Sequence, residues 1–145
     1  MIRAAVSPVP LLGLLLGLAF AISGCSREPG APRIQIGEPC ATCGMAVREV
    51  RFAALLHGES GDRQYDSIEC LVQDAASRGS EVFLADYDQG ALHAAESVWV
   101  VKGDFPTPMG GGLAAFVSLE SAREVAARTH GRVLRLSELA PEAAR

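Results

Sequence analysis

The sequence predicts an α+β protein: two small, related ββαβ units packed together behind a lipoprotein signal and a flexible tether. Three observations carry this. The 145 residues suit a single compact unit once an apolar leader is set aside. Short Val-, Leu- and Phe-rich runs are bounded by Gly/Asp turn clusters, the pattern of brief strands. The order strand, strand, helix, strand occurs once over residues 40–90 and again over 91–137. A unit of about forty residues cannot bury an adequate core alone, so the halves must pack together or share sheet edges.

Residues 1–24 read as the signal. Arg3 is their one charge, and the apolar run from Val9 to Ile22 ends in Ser23-Gly24-Cys25. That run is shorter than the ~20 residues of a membrane span and fits a secretory apolar region. Ile22-Ser23-Gly24-Cys25 resembles the bacterial lipobox, in which the Cys thiol receives diacylglycerol, the chain is cut before it and the new amine is acylated. Lipidation at Cys25 and a membrane anchor facing the periplasm are therefore expected. Ser26, where an Asp would retain the protein at the inner membrane, favours the outer membrane. Residues 25–39 hold three prolines and two glycines, the composition of a semi-extended tether.

In the first unit, Ala46 to Leu56 should include a strand. The turn Gly58-Glu59-Ser60-Gly61-Asp62 leads to a second strand, Arg63 to Tyr65. Asp66 reads as a helix N-cap with Glu69 as its capping-box partner. Ile68, Leu71, Val72 and Ala75 follow at helical spacing, and Arg78-Gly79 ends the helix. Glu81 to Ala85 is the third strand, and residues 86–90 turn the chain. In the second unit, Ser97 to Lys102 is a strand, 103–112 a loop and Leu113 to Val117 a strand. Ser118 caps a helix bearing Ala122, Val125 and Ala126, which Gly131 stops, and Val133 to Leu136 closes the unit. Residues 138–145 form an Ala- and Glu-rich tail.

Composition excludes several functions. A net charge of −4 disfavours a nucleic-acid partner, and 6% aromatics offer no stacking platform for bases or sugars. Gly110-Gly111-Gly112 lacks the Lys-Ser/Thr of a phosphate loop. No catalytic triad and no paired acids in a plausible cleft are visible, so an enzyme is not expected.

The chemistry lies in sulfur. Cys40-Ala41-Thr42-Cys43 places two thiols within reach of one metal ion, or of each other as the disulfide of an exported protein. A zinc knuckle would need a second pair. Met45 sits two residues beyond Cys43. Met109 stands between prolines and three glycines, on a loop with no apolar neighbours to hide it. Soft thioether and thiolate donors select Cu(I). Cys70, between Ile68 and Leu71, reads as a packed core residue. His93 precedes the second-unit strand and offers an imidazole, whereas His57 and His130 read as solvent-facing.

Taken together, the lipobox, Cys40-x-x-Cys43-Gly44-Met45, Tyr65-Asp66-Ser67-Ile68-Glu69-Cys70-Leu71, Asp86-Tyr87, Trp99-Val100-Val101 and Thr107-Pro108-Met109-Gly110-x-Gly112-x-x-Ala115-Phe116 resemble the NosL family. The resemblance spans nearly all of the mature chain. It implies two ββαβ units, Cu(I) as cargo, Met109 as a ligand, and a non-enzymatic chaperone serving the copper sites of nitrous oxide reductase. The partners it implies are an ABC transporter and the periplasmic protein NosD. Many relatives carry His between the glycines where this chain has Gly111, and Asp where it has His93. Against that background His93 becomes the candidate nitrogen donor, with Met45, Cys40 and Cys43 as further ligands. Two other functions fit the same residues: a thiol–disulfide reductase using Cys40 and Cys43, and a metal-free scaffold lipoprotein.

Overall fold

The structure, a computed structural model, describes residues 31–58, 60–74 and 79–139. The signal, Cys25, the tether up to Gly30, Ala75, Arg78 and the tail beyond residue 139 lie outside the described residues. Among those described, no helix is long and apolar enough to cross a membrane.

Two antiparallel sheets and two helices form one unit. The first sheet holds β1 (Ala54–His57), β2 (Arg63–Tyr65), β3 (Glu81–Ala85) and β4 (Leu92–Ala94) in the order β2-β1-β3-β4. The second holds β5 (Trp99–Lys102), β6 (Leu113–Phe116) and β7 (Arg132–Leu134) in the order β6-β5-β7. Helix α1 (Ile68–Gln73) joins β2 to β3, and α2 (Leu119–Arg128) joins β6 to β7. Each half thus makes a hairpin, crosses by a helix and lays its third strand antiparallel against the first. This is the repeat legible in the sequence.

The boundary between the units moves. The sequence placed residues 91–94 in the second unit, but β4 pairs with β3 through Phe83–Ala94, Leu84–His93 and Ala85–Leu92. The reason is the turn before it. Asp86 donates its amide to Ala91 O at 2.8 Å, and Gly90 donates to Asp86 O at 2.7 Å while adopting a positive φ of 72°. A turn this tight sends the chain straight back along β3.

Side-chain alternation along β5 and β6 sorts the core. Val100, Leu113 and Ala115 pack with Tyr65, Ile68, Cys70 and Leu71 of the first half. Val101, Ala114 and Phe116 face Ala122 and Ala126 of α2. The second sheet is therefore covered on both faces, and the halves share one core. Asp86, buried at the end of β3, reinforces the junction: its Oδ1 accepts the amide of Val117 at 2.9 Å and its Oδ2 that of Gln89 at 3.0 Å.

Helix caps follow local chemistry. Ser118 accepts from the Ser121 amide, as its place before α2 predicts. At α1 the cap is Ser67, not Asp66: its Oγ accepts from the Cys70 amide at 3.3 Å. The helix ends at Gln73. Asp66 and Glu69 do not form the expected capping box, because the first lies among the cysteines and the second reaches into another loop.

Candidate metal centre

Residues 37–47 form a narrow hairpin. Gly37 donates to Val47 O, Val47 to Glu38 O and Cys40 to Met45 O, all at 2.8–2.9 Å. Its tip is Cys40 to Met45, closed by the Gly44 amide on Cys40 O at 2.9 Å. Gly44 has φ +74°, a left-handed value that a side chain disfavours, which explains a glycine here. Two hydrogen bonds fix the tip to the body. Ala41 donates to Gln64 O on β2 at 2.8 Å, and Thr42 Oγ1 donates to Cys70 O on α1 at 2.8 Å.

These ties bring four groups together. One ligand atom from each of Cys40, Cys43, Asp66 and Cys70 lies within 4.8 Å of every other. Cys40, Cys70 and Asp66 are buried, while Cys43 is exposed with its sulfur turned to the cluster. The Cys43 sulfur lies 3.7 Å from Asp66 Oδ2, and Asp66 Oδ1 is buried with no hydrogen-bond partner. A buried, half-satisfied carboxylate beside three thiols is costly unless something positive joins it. The three thiols are free, so the Cys40–Cys43 disulfide that export alone suggests is not present in this structure.

Burial pushes the Cys70 thiol pKa far up, helped by hydrogen bonds with Asp66 and Cys40. Burial also raises Cys43, against a lowering contribution from the Met45 amide. Both shifts favour the protonated thiol, so a cation bound here would have to displace protons.

The structure sorts the residues singled out in the sequence. Cys40 and Cys43 enter the cluster. Met45 shares with Asp66 and Pro108 a cleft of about 390 Å³, whose remaining lining is Ala46, Arg48 and Glu49. Met109, the residue after Pro108, is 39% exposed and Met45 48%, so both thioethers are at the surface, Met45 in the cleft itself and Met109 next in the chain to a residue that lines it. His93 does not join them. Tyr65, Ala54, Leu84 and His93 form one cross-strand row spanning the first sheet. Three strand spacings therefore put His93 roughly 14 Å from Tyr65, at the opposite edge from the cluster. His57 pairs with Asp62 at 2.6 Å, and His130 is exposed 3.7 Å from Asp104.

Two cluster members escaped the sequence reading. Cys70 is buried, as its apolar neighbours indicate, yet its sulfur faces two other thiols. Asp66 passed for a helix cap. The available signal was their spacing: i and i+4 across a helix start share one face. Gly111 also finds its explanation here. A Cβ at this position would lie 2.5 Å from Glu69 Cγ, so Glu69 fills the space that a side chain would need.

Fold and site together define a class: a small two-sheet α+β domain carrying a thiol-rich candidate metal centre beside two exposed thioethers. The NosL family model matches residues 32–144, and the chain belongs to the NosL family. A solved structure, the copper chaperone NosL from Shewanella denitrificans, superposes with a TM-score of 0.63 at 19% identity. The match covers 74% of this chain and 93% of that one. No curated protein matches the chain.

Proposed function

We propose that this protein is a Cu(I) chaperone, anchored to the membrane by a lipid on Cys25, facing the periplasm and more often at the outer than the inner membrane. The observation that carries the reading is the cluster of Cys40, Cys43, Asp66 and Cys70, whose Asp66 lines a cleft together with Met45 and with Pro108, the residue before Met109. Family membership and the fold shared with a copper chaperone support it. Thiolates bind Cu(I) tightly, whereas thioethers bind it weakly and resist oxidation. A thiol set with two buried members, one exposed member and an exposed thioether in the adjoining cleft can therefore hold the ion and still expose it to incoming ligands. The acceptor implied by the family is the apparatus that builds the copper sites of nitrous oxide reductase, with its ABC transporter and NosD.

Three thiolates and a carboxylate also suit Zn(II). The exposed methionines favour the softer ion, because a thioether adds little to zinc. A thiol–disulfide reductase needs a depressed thiol pKa. The shifts at Cys43 and Cys70 run upward, opposite to what that chemistry needs.

The test is anaerobic loading of the full-length chain with Cu(I) or Zn(II), followed by sulfur-ligand counting by X-ray absorption at the metal edge. One Cu(I) per chain in an all-sulfur or sulfur-rich shell is expected, lost in a Cys40→Ser/Cys43→Ser/Cys70→Ser variant. A chain that takes up no Cu(I) sinks the proposal, and Zn(II) outcompeting Cu(I) makes the centre structural.

A further inference from the structure

Glu69 lies one residue before Cys70 on α1, yet outside the cluster. It is buried at 8% exposure. Its Oε1 accepts from Thr107 Oγ1 at 2.9 Å and from the Leu113 amide at 3.3 Å. Thr107 Oγ1 in turn accepts from the Gly112 amide at 3.2 Å. One carboxylate oxygen thus grips the loop on either side of Met109. The loop also rests on the side chain itself, since a Cβ on Gly111 would stand 2.5 Å from Glu69 Cγ and 2.7 Å from Oε1. The other oxygen, Oε2, is buried with no hydrogen-bond partner. A leucine would fill this space without stranding an oxygen, but it could not hold the loop.

We infer that Glu69 is a positioning residue that references the Met109 loop to the first turn of α1, which carries Cys70 and, through its cap Ser67, follows directly on Asp66. The chain Cys70–Glu69–Thr107–Gly112 makes the thioether and the thiols parts of one rigid frame rather than two independent donors. This rests on the proposed role of Met109 as a Cu(I) ligand. The alternative for Glu69 is a purely structural contact whose loss changes stability and nothing else.

The experiment uses the full-length chain with ¹³C-labelled methionine methyls. In metal-free Glu69→Ala, amide hydrogen exchange at Gly112 and Leu113 should accelerate by at least about tenfold. On Cu(I) loading, the Met109 methyl shift seen in the parent should vanish while thiolate–Cu(I) absorption persists. Glu69→Gln keeps an acceptor at Oε1 and should restore both signals. Thr107→Val, which deletes the linking hydroxyl, should accelerate Gly112 exchange even if Glu69→Ala does not fold. Unchanged exchange in Glu69→Ala or Thr107→Val overturns the inference, as does a loosened loop with an unaltered Met109 shift. If the parent itself shows no Met109 shift with Cu(I), the copper role of Met109 fails, while the exchange measurements still decide whether Glu69 clasps the loop.

Discussion

Thr42 Oγ1 donates a 2.8 Å hydrogen bond to the backbone carbonyl of Cys70. It fastens the middle of the C-x-x-C turn to the helix that brings the third thiol. The two residues are 28 apart in sequence, so this bond joins the two halves of the candidate centre.

Thr42→Val keeps the shape of the side chain and removes the donor. A neutral hydrogen bond of this kind contributes about 1 kcal/mol. The variant should fold, lose about that much stability in urea unfolding, and bind Cu(I) several-fold more weakly in chelator competition. Unchanged affinity would mean that the turn holds its position without this tie.

Met109→Leu and His93→Ala separate two candidate ligands. Met109→Leu conserves volume and deletes sulfur, so folding should survive and Cu(I) affinity should fall about tenfold, equivalent to about 1.4 kcal/mol. His93 stands across the first sheet from the cluster. His93→Ala should therefore leave affinity within about twofold. The reverse pattern in the same competition assay would return the nitrogen donor to the site.

Copper affinity should rise with pH. Cys43 and Cys70 have raised pKa values, so both are protonated at neutral pH and binding must displace their protons. Each displaced proton makes apparent affinity climb about tenfold per pH unit below the thiol pKa. Competition at about pH 6.5 and about pH 8.5 should differ by about 10,000-fold if both protons are displaced and by about 100-fold if only one is. The metal-free protein should behave oppositely. A raised thiol pKa favours the protonated folded state, so its stabilising effect is complete below the ordinary thiol value of 9.0 and fades as pH climbs beyond it. Chemical unfolding of reduced, metal-free protein across that range checks the sign.

Gly112 and Gly110 both have positive φ, at 68° and 72°, but only one is crowded. A Cβ on Gly112 would lie 2.0 Å from the backbone oxygen of Gly103, whereas nothing comes within 4 Å of one on Gly110. Gly112→Ala should cost about 3 kcal/mol or prevent folding, because backbone cannot step aside. Gly110→Ala should cost about 1 kcal/mol from conformation alone. Thermal unfolding of the two variants makes the comparison, and equal losses would show that the loop is free to move away from Gly103.

Local pattern was sufficient for much of this protein. Strand, helix and turn assignments rest on short-range chemistry: apolar runs, Ser118 as a cap, and the turn over residues 86–90 that ends at Gly90 with a positive φ. The repeat was legible because each half spells out its own hairpin and helix. The C-x-x-C and the exposed Met109 loop were legible because their residues are adjacent in the chain. What needed the tertiary structure is whatever depends on contacts between distant segments. Cys70 reads as core in one dimension, and it is core, but folding sets its sulfur against Cys40 and Cys43. Asp66 and Ser67 compete for one cap, and the hydrogen bond of Ser67 with Cys70 leaves Asp66 to the thiols. The family departure at position 93 suggested a ligand, yet strand order alone carries His93 to the far edge of the sheet. Periodicity specifies which face a side chain takes, whereas the residue that meets it there is chosen by strand order and by which loops the buried carboxylates can grip.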